Sequence, residues 1–353
     1  MMNEFDLAQL IAPALVWYDA NKRILPWRGI RDPYRIWISE IMLQQTRVEA
    51  VKEYYARFTA ACPDIAALAA IDDDALMKLW QGLGYYSRAR NLKKAALVMM
   101  ERYEGQMPHA YDEVASLPGI GAYTAGAICS IAYDLPVPAV DGNVLRILSR
   151  VRCDERDIIK EATKKAVRTE LLAVMPMHRS GELNQAFMDI GATVCLPNGE
   201  PGCGECPWAV VCLAKKTGRI SELPNRKKAK KRRIEERTII VIRDGERVLL
   251  HKRPPKGLLA GLYEPLNIEG YKGEQETRDL VRSLGLDPLH IASLGEAKHI
   301  FSHIEWHMKG YAVRVADAAD YADKDGYLLV EKQRIIEGFS IPSAYAAYMR
   351  DMR

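Results

Sequence analysis

The chain has 353 residues, 48% of them hydrophobic and 27% charged, with a formal net charge of +4. That length favours two domains over one, and the absence of any uninterrupted apolar run of bilayer-spanning length excludes a helical membrane protein and makes a soluble, cytoplasmic one the expectation. A charge of +4 is too small to select a class of partner, so its distribution along the chain carries the information.

Up to about residue 224 the pattern is helical. Pro33 to Val48, Asp74 to Leu79, Ala89 to Tyr103, Tyr123 to Tyr133, Val144 to Val151 and Glu182 to Val194 carry apolar residues at three- and four-residue spacing between short Gly/Pro breaks. Within the first of these, Glu40 has Ile36, Trp37 and Leu43 at i−4, i−3 and i+3. A carboxyl on an apolar stripe is either a buried partner for an arginine or a group whose pKa burial raises, leaving it protonated and able to act as an acid.

Leu117 to Ala125 reads LPGIGAYTA. Gly119 and Gly121, between two helical patterns, suit a tight hairpin whose bare backbone N–H groups lie at the start of the next helix, a geometry that binds phosphate. After that helix come LPVPAV and Asp141-Gly142-Asn143. An aspartate there is commonly an N-cap; behind the stiff Pro136 and Pro138 loop it also has its carboxylate fixed close to the hairpin.

Cys195, Cys203, Cys206 and Cys212 read C-x7-C-x2-C-x5-C within eighteen residues. Four crowded thiolates repel and oxidise unless an ion or cluster holds them. Disulfides fit poorly, because no secretory signal opens the chain and Cys62, Cys129 and Cys153 are scattered among apolar neighbours. Zinc is the rival to an iron–sulfur cluster, although only Cys203 and Cys206 form the usual half-site.

Arg226 to Arg237, RKKAKKRRIEER, holds eight basic residues in twelve and follows Pro224. It reads as an interdomain tether able to add phosphate affinity. Beyond it the period changes: Thr238 to His251 predicts a hairpin turning at Asp244-Gly245, Glu274 to Leu284 a helix, and Ile304 to Val315 a strand. His299, His303 and His307 are four apart, but their alternating apolar neighbours predict strand or loop rather than a metal-binding helix face. An all-α domain with a metal near its end is thus expected to precede an α+β domain.

These residues together carry a resemblance. LPGIG, the Pro-rich loop and Asp141 resemble the helix-hairpin-helix and Gly/Pro-Asp motif of base-excision DNA glycosylases, and the four cysteines resemble the iron–sulfur loop of the endonuclease III branch. Within it the chain is similar to the adenine DNA glycosylases of the MutY type over nearly its full length: LPWR at Leu25 to Arg28, WISEIMLQQTRV at Trp37 to Val48, GLGYYSRARNL at Gly82 to Leu92, NQAFMDIGATVC at Asn184 to Cys195, and FSH at Phe301 to His303. One departure is that Cys195 and Cys203 stand one residue further apart than is usual, and the intervening LPNGEPG carries Glu200 and no Lys or Arg.

The resemblance implies a helix-hairpin-helix glycosylase domain over residues 1–224 with a 4Fe-4S cluster on the four cysteines, a basic linker over 225–237, and a Nudix-like mismatch-recognition domain over 238–353. It implies proton transfer by Glu40, stabilisation of a cationic sugar by Asp141 with Asn143 orienting it, and Tyr123 where the bifunctional relatives carry a lysine nucleophile. The activity expected is therefore monofunctional. DNA contacts fall to Gln45, Thr46, Tyr85, Gly119 and Gly121, with Gln45 and Tyr85 as wedges, and the adenine pocket to Trp27, Arg28 and Gln185. Phe301, Ser302 and His303 are implied to recognise 8-oxoguanine opposite the adenine. The Nudix-like helix, EQETRDLVRSLG, lacks the R-E-x-x-E-E string that binds magnesium, so this domain is expected to read rather than hydrolyse. The partner implied is double-stranded DNA bearing A:8-oxoguanine or A:G mispairs, bound by a monomer. A non-catalytic iron–sulfur DNA-binding or redox-sensing protein would need neither Glu40 nor Asp141, and a zinc binding module would be colourless where a 4Fe-4S protein is brown.

Overall fold

The computed structural model describes residues 5–227, 231–321, 324 and 326–352, so Lys228, Ala229 and Lys230 of the basic segment lie outside the described residues. The chain forms two compact units, Met1–Ala70 with Arg90–Lys228, and Ile71–Ala89 with Ala229–Arg353. In chain order the helices before the basic segment are α1 (Ile11–Asn21), α2 (Pro33–Leu43), α3 (Val48–Ala61), α4 (Ile65–Ala70), α5 (Asp73–Trp80), α6 (Ser87–Arg102), α7 (Tyr111–Ser116), α8 (Ala122–Tyr133), α9 (Gly142–Arg152), α10 (Glu161–Leu172), α11 (Ser180–Thr193) and α12 (Leu213–Lys216). No helix is long and apolar enough to cross a membrane among the described residues.

Capping explains several of these boundaries. α2 starts where the Asp32 carboxylate accepts from the Tyr34 and Arg35 N–H groups, with Pro33 in the first turn where its missing N–H costs nothing. The helix predicted to run to Val48 stops instead at Leu43. Gln45 adopts a left-handed backbone, φ 59°, and α3 begins afresh at Val48. The periodicity continues across this break because Gln-Gln-Thr supplies neither glycine nor proline to mark it.

In the first unit, Leu145, Ile147 and Leu148 of α9 pack with Leu183, Phe187 and Ile190 of α11 and with residues of α1 and α10. Trp208, from the cysteine-bearing segment, joins this core against Phe187, and its indole N–H donates to the Leu10 carbonyl at 2.9 Å. That bond satisfies the polar atom of a buried tryptophan and ties the segment to the helices. The α8 to α9 connection is held just as tightly. Asn184 on α11 accepts from Ala139 N (3.0 Å) and donates to Val137 O (2.9 Å), clamping the Pro-rich loop on both sides. Gly126 of α8 lets that loop come close: a Cβ there would sit 2.3 Å from the Pro138 carbonyl oxygen.

The second unit contains a seven-stranded sheet, β1 (Arg233–Asp244), β2 (Arg247–Lys252), β3 (Tyr263–Glu264), β4 (Leu266–Glu269), β5 (Pro288–Ile300), β6 (Ile304–Val315) and β7 (Tyr327–Glu331). Its main path runs β3-β2-β1-β6-β5, with β4 on β1 and β7 on β2. β1 and β2 form the predicted hairpin, Asp244 opposite Arg247 with Gly245 at φ 57°, while β1 and β6 are parallel. Arg233 to Arg237, within the segment read as a tether, lie in β1. α13 (Glu274–Ser283) covers one face with Val281, beside Leu286 just past its end, and α14 (Lys332–Gly338) and α15 (Met349–Met352) flank the other, where Tyr345, Tyr348 and Trp306 are buried. The acidic side chains of α13 engage local partners, Glu274 with Arg278 and Glu276 with Lys272, and do not converge.

Candidate active site

α2 and the start of α9 place two carboxyl groups in contrasting surroundings. Glu40, in the last turns of α2, is only 5% exposed, and the Tyr123 hydroxyl at the start of α8 donates to its Oε2 at 2.7 Å. Burial pushes the Glu40 carboxyl above the usual glutamate range; the Tyr123 bond and the Arg28 charge pull it back in part, and the charge of Asp141 pushes it further up. Tyr123 itself is held well above its ordinary pKa, by burial first and by Glu40, so it remains a donor. A proton on Glu40 then belongs on Oε1, because Oε2 is already accepting.

Asp141 is the N-cap of α9. Its Oδ1 accepts from Asn143 N and Val144 N, both at 2.9 Å, and its Oδ2 accepts from Asn143 Nδ2 at 2.7 Å. Burial pushes this carboxyl up from the aspartate range, against those three N–H donors and the Arg146 guanidinium. Each donor suits the ionised form, as does the helix N-terminus, so the group is built to hold a negative charge.

Asn143 is locked in turn. Its Oδ1 accepts from Arg146 at 3.0 Å, and Arg146 also donates to the carbonyls of Gly191 (2.7 Å) and Cys195 (2.9 Å). Gly191 has no room for a side chain, since a Cβ there would lie 2.5 Å from Asn143 Cβ. Gly191→Ala is therefore expected to displace Asn143 and with it Asp141, slowing single-turnover base excision by as much as ~10²-fold, the scale of a 1 Å misplacement. Duplex affinity, measured by gel shift, should change little; a wild-type excision rate in a folded variant would show that Asn143 does not set the Asp141 carboxylate.

Arg28 and Gln185 line one recess and are joined through Tyr18. Arg28 donates to Tyr18 Oη (3.2 Å) and to Asp189 (2.9 Å), and Tyr18 donates to Gln185. Asp189, with no exposed side-chain surface, also takes the Arg23 guanidinium at 2.7 Å, so Arg28 is fixed by a fully buried carboxylate. Trp27 is 4% exposed and packs edge-on against Tyr55, ring centroids 5.4 Å apart, which places it in the core.

Gly119, φ 77° and tight against Asn91, makes the turn between α7 and α8, and Gly121 caps α8 with open space beside it. Gln45 is exposed in its left-handed turn, with Thr46 N bonded back to Leu43 O. Tyr85, in the second unit, is also left-handed (φ 46°) and 46% exposed, and its hydroxyl lies 2.9 Å from Ser302 Oγ. Ser302 and His303 are exposed at the tip joining β5 to β6, while Phe301 packs edge-on against Trp306. His299 lies in β5 and His307 in β6, so the three histidines share no helix face.

The four cysteines line one recess together with Arg150, Val194 and Trp208. Burial pushes the Cys206 thiol up to about 11 and raises the Cys212 thiol as well, so these two need a cation to ionise them. Arg150 Nη1 stands 3.3 Å from Cys195 Sγ, where it would balance thiolate charge. Among the described residues no three His, Cys, Asp or Glu side chains are close enough to grip one metal ion. Four thiols around one recess are nonetheless a donor set able to hold a metal ion or a cluster.

Sequence reasoning passed over Arg146, Asp189 and the clamp made by Asn184. The signal available was the presence of Arg146 and Arg150 on the otherwise apolar face of α9, and of Asn184 and Asp189 on α11, since buried polar groups must find partners.

Residues 38–176 match the HhH-GPD superfamily of base excision DNA repair proteins, and residues 237–351 match the NUDIX domain. The solved structure of a thermostable thymine-DNA glycosylase superposes with a TM-score of 0.53 at 26% identity, covering 59% of this chain and 96% of that one. Fold and site thus define a helix-hairpin-helix DNA glycosylase joined to a Nudix-type domain. Adenine DNA glycosylase of Mus musculus is 35% identical over 371 residues, covering 89% of this chain and 72% of the relative. That of Buchnera aphidicola subsp. Baizongia pistaciae is 33% identical, covering 82% of each. The chain belongs to the adenine DNA glycosylase family.

Proposed function

We propose that this chain is a monofunctional glycosylase that hydrolyses the N-glycosidic bond of adenine mispaired with 8-oxoguanine or guanine in duplex DNA, acting as a monomer. The observation that carries the reading is the contrast between the two carboxyls, one buried under a tyrosine donor and the other held by three N–H groups. Protonated Glu40 donates from Oε1 to N7 of a flipped adenine, which makes the base a better leaving group. Ionised Asp141 stabilises the positive charge that develops on the sugar, as paired carboxyls do in glycoside hydrolysis. Arg28 and Gln185 supply donors and acceptors to the base. Tyr123 is held as a neutral donor and offers no amine for an imine with the sugar, so strand cleavage is not part of the reaction.

Gln45 and Tyr85 protrude in left-handed turns as wedges for the gap left in the stack, Thr46 supports the first, and the Gly119 to Gly121 hairpin presents N–H groups to phosphate. Phe301 anchors the tip at which Ser302 and His303 read the opposite base. The four cysteines would hold a 4Fe-4S cluster; bound there, it supplies a covalent cross-link that fixes the Cys195 segment beneath Arg146.

The test is excision from duplexes with A opposite 8-oxoguanine, G or T, with and without alkali. The first two should lose adenine, fastest opposite 8-oxoguanine, with strand breaks only after alkali. Equal rates on all three duplexes would sink the mispair reading, and breaks without alkali would sink the monofunctional one.

A further inference from the structure

We infer that Asp74 is a positioning residue for opposite-base discrimination, holding α5 and the Tyr85 loop in register with Ser302. The inference rests on the reading of Ser302 given above. Asp74 lies in the first turn of α5, but Asp72 is the residue that caps this helix, accepting from Asp74 N and Ala75 N. The Asp74 carboxylate is used elsewhere. Lys252 Nζ donates to both of its oxygens, at 2.8 and 2.9 Å, and Tyr263 Oη donates to Oδ2 at 2.8 Å. Lys252 and Tyr263 face each other across β2 and β3, and the ammonium lies 5.0 Å from the tyrosine ring centroid. An ordinary exposed ion pair contributes little because two floppy chains must be ordered to make it. Here the lysine is ordered by the ring and the tyrosine by the strand before the carboxylate arrives.

From this clasp the geometry runs along α5 to the wedge. Gln81 donates to the Ile341 carbonyl (3.0 Å), Trp80 Nε1 donates to the Gly84 carbonyl (3.1 Å), and the next residue is Tyr85. Arg88 closes the turn by donating to the Leu83 and Gly84 carbonyls at 3.0 and 3.1 Å. Tyr85 Oη and Ser302 Oγ then stand 2.9 Å apart. A helix is stiff over this length, so a shift at its first turn is transmitted to its last. The segment 71–89 is thereby one piece with the sheet that carries Ser302, and the wedge and the reader are placed by the same frame.

The experiment measures single-turnover excision by the full chain on A:8-oxoguanine and A:G duplexes for wild type, Asp74→Asn, Ser302→Ala and the double variant. Asp74→Asn is expected to lower the ratio of the two rates ~10-fold, as a misplaced contact does, while any slowing from a displaced wedge is shared by both duplexes and cancels in the ratio. The double variant should show no larger loss than Ser302→Ala alone, because both act on one contact. Lys252→Met opens the clasp from the other side and should reproduce the ratio of Asp74→Asn; it decides the matter if Asp74→Asn fails to fold. An unchanged ratio in a folded variant, an equal slowing of both duplexes, or additive losses would overturn the inference. If Ser302→Ala left the ratio at its wild-type value, the reading of Ser302 itself would fall, a result distinct from failure at Asp74 alone.

Discussion

Replacing Asp141 by asparagine is expected to abolish adenine excision while leaving duplex binding close to wild type. The substitution keeps shape and removes charge. It also turns one acceptor oxygen into an NH₂ group facing donors that already fill the carboxylate, so the cradle of Asn143 N, Val144 N and Asn143 Nδ2 cannot be satisfied as before. Loss of one preorganised electrostatic stabiliser costs on the order of 10²–10³ in rate. The check is single-turnover excision beside a gel shift on the same mispaired duplex. Asp141→Ala separates folding from chemistry, since losing an N-cap costs about 1 kcal/mol of stability, well short of unfolding most domains. Turnover near wild type in Asp141→Asn would remove this carboxylate from the reaction.

Glu40→Gln is expected to lose ~10²–10⁴-fold in excision rate, the usual contribution of a positioned proton donor. In wild type the rate should follow a bell. Its acid limb is Asp141 losing its charge, and its alkaline limb is Glu40 losing the proton that burial helps it to keep. The glutamine variant should keep no alkaline limb attributable to position 40. Stability gives an independent reading. The folded protein binds the Glu40 proton more tightly than the unfolded chain does, because burial raises the folded pKa. The stabilisation linked to that proton is complete below the unfolded value of about 4.3 and is lost as pH rises through the folded value. Glu40→Gln should therefore gain melting temperature relative to wild type as pH rises through that window. A difference that stays flat with pH would mean that Glu40 is not held protonated.

The contrasting carboxyls, the hairpin and the cysteine set were legible because each has a local signature: a carboxyl on an apolar stripe, paired glycines, a fixed spacing. What holds them was not. Arg146 reaches Asn143, Gly191 and Cys195 at once, and nothing in the neighbourhood of residue 146 in the chain announces a partner forty-five residues away. The end of α2 at Leu43 was hidden because Gln45 is left-handed without being glycine, a conformation the pattern of apolar residues does not register. The clustering of Ile71–Ala89 with the C-terminal residues was invisible for a different reason. Its helical periodicity is that of any amphipathic helix, and the residues that receive it, Lys252, Tyr263 and Ile341, come from three separate strands and turns.

The way β1 begins sets where the two halves of such an enzyme can be cut or exchanged. Arg233 N donates to the His303 carbonyl at 3.1 Å, and Arg232 Nε donates to the Phe301 carbonyl at 3.1 Å. The end of the basic run is thus the backbone partner of the tip on which the reader side chains stand. A chimera joined at residue 237, where the basic run ends, would import a tip stripped of its first strand neighbour. A graft joined upstream of Arg232, and carrying residues 71–89 with it, transfers the tip, its neighbour and the wedge as a single heritable module.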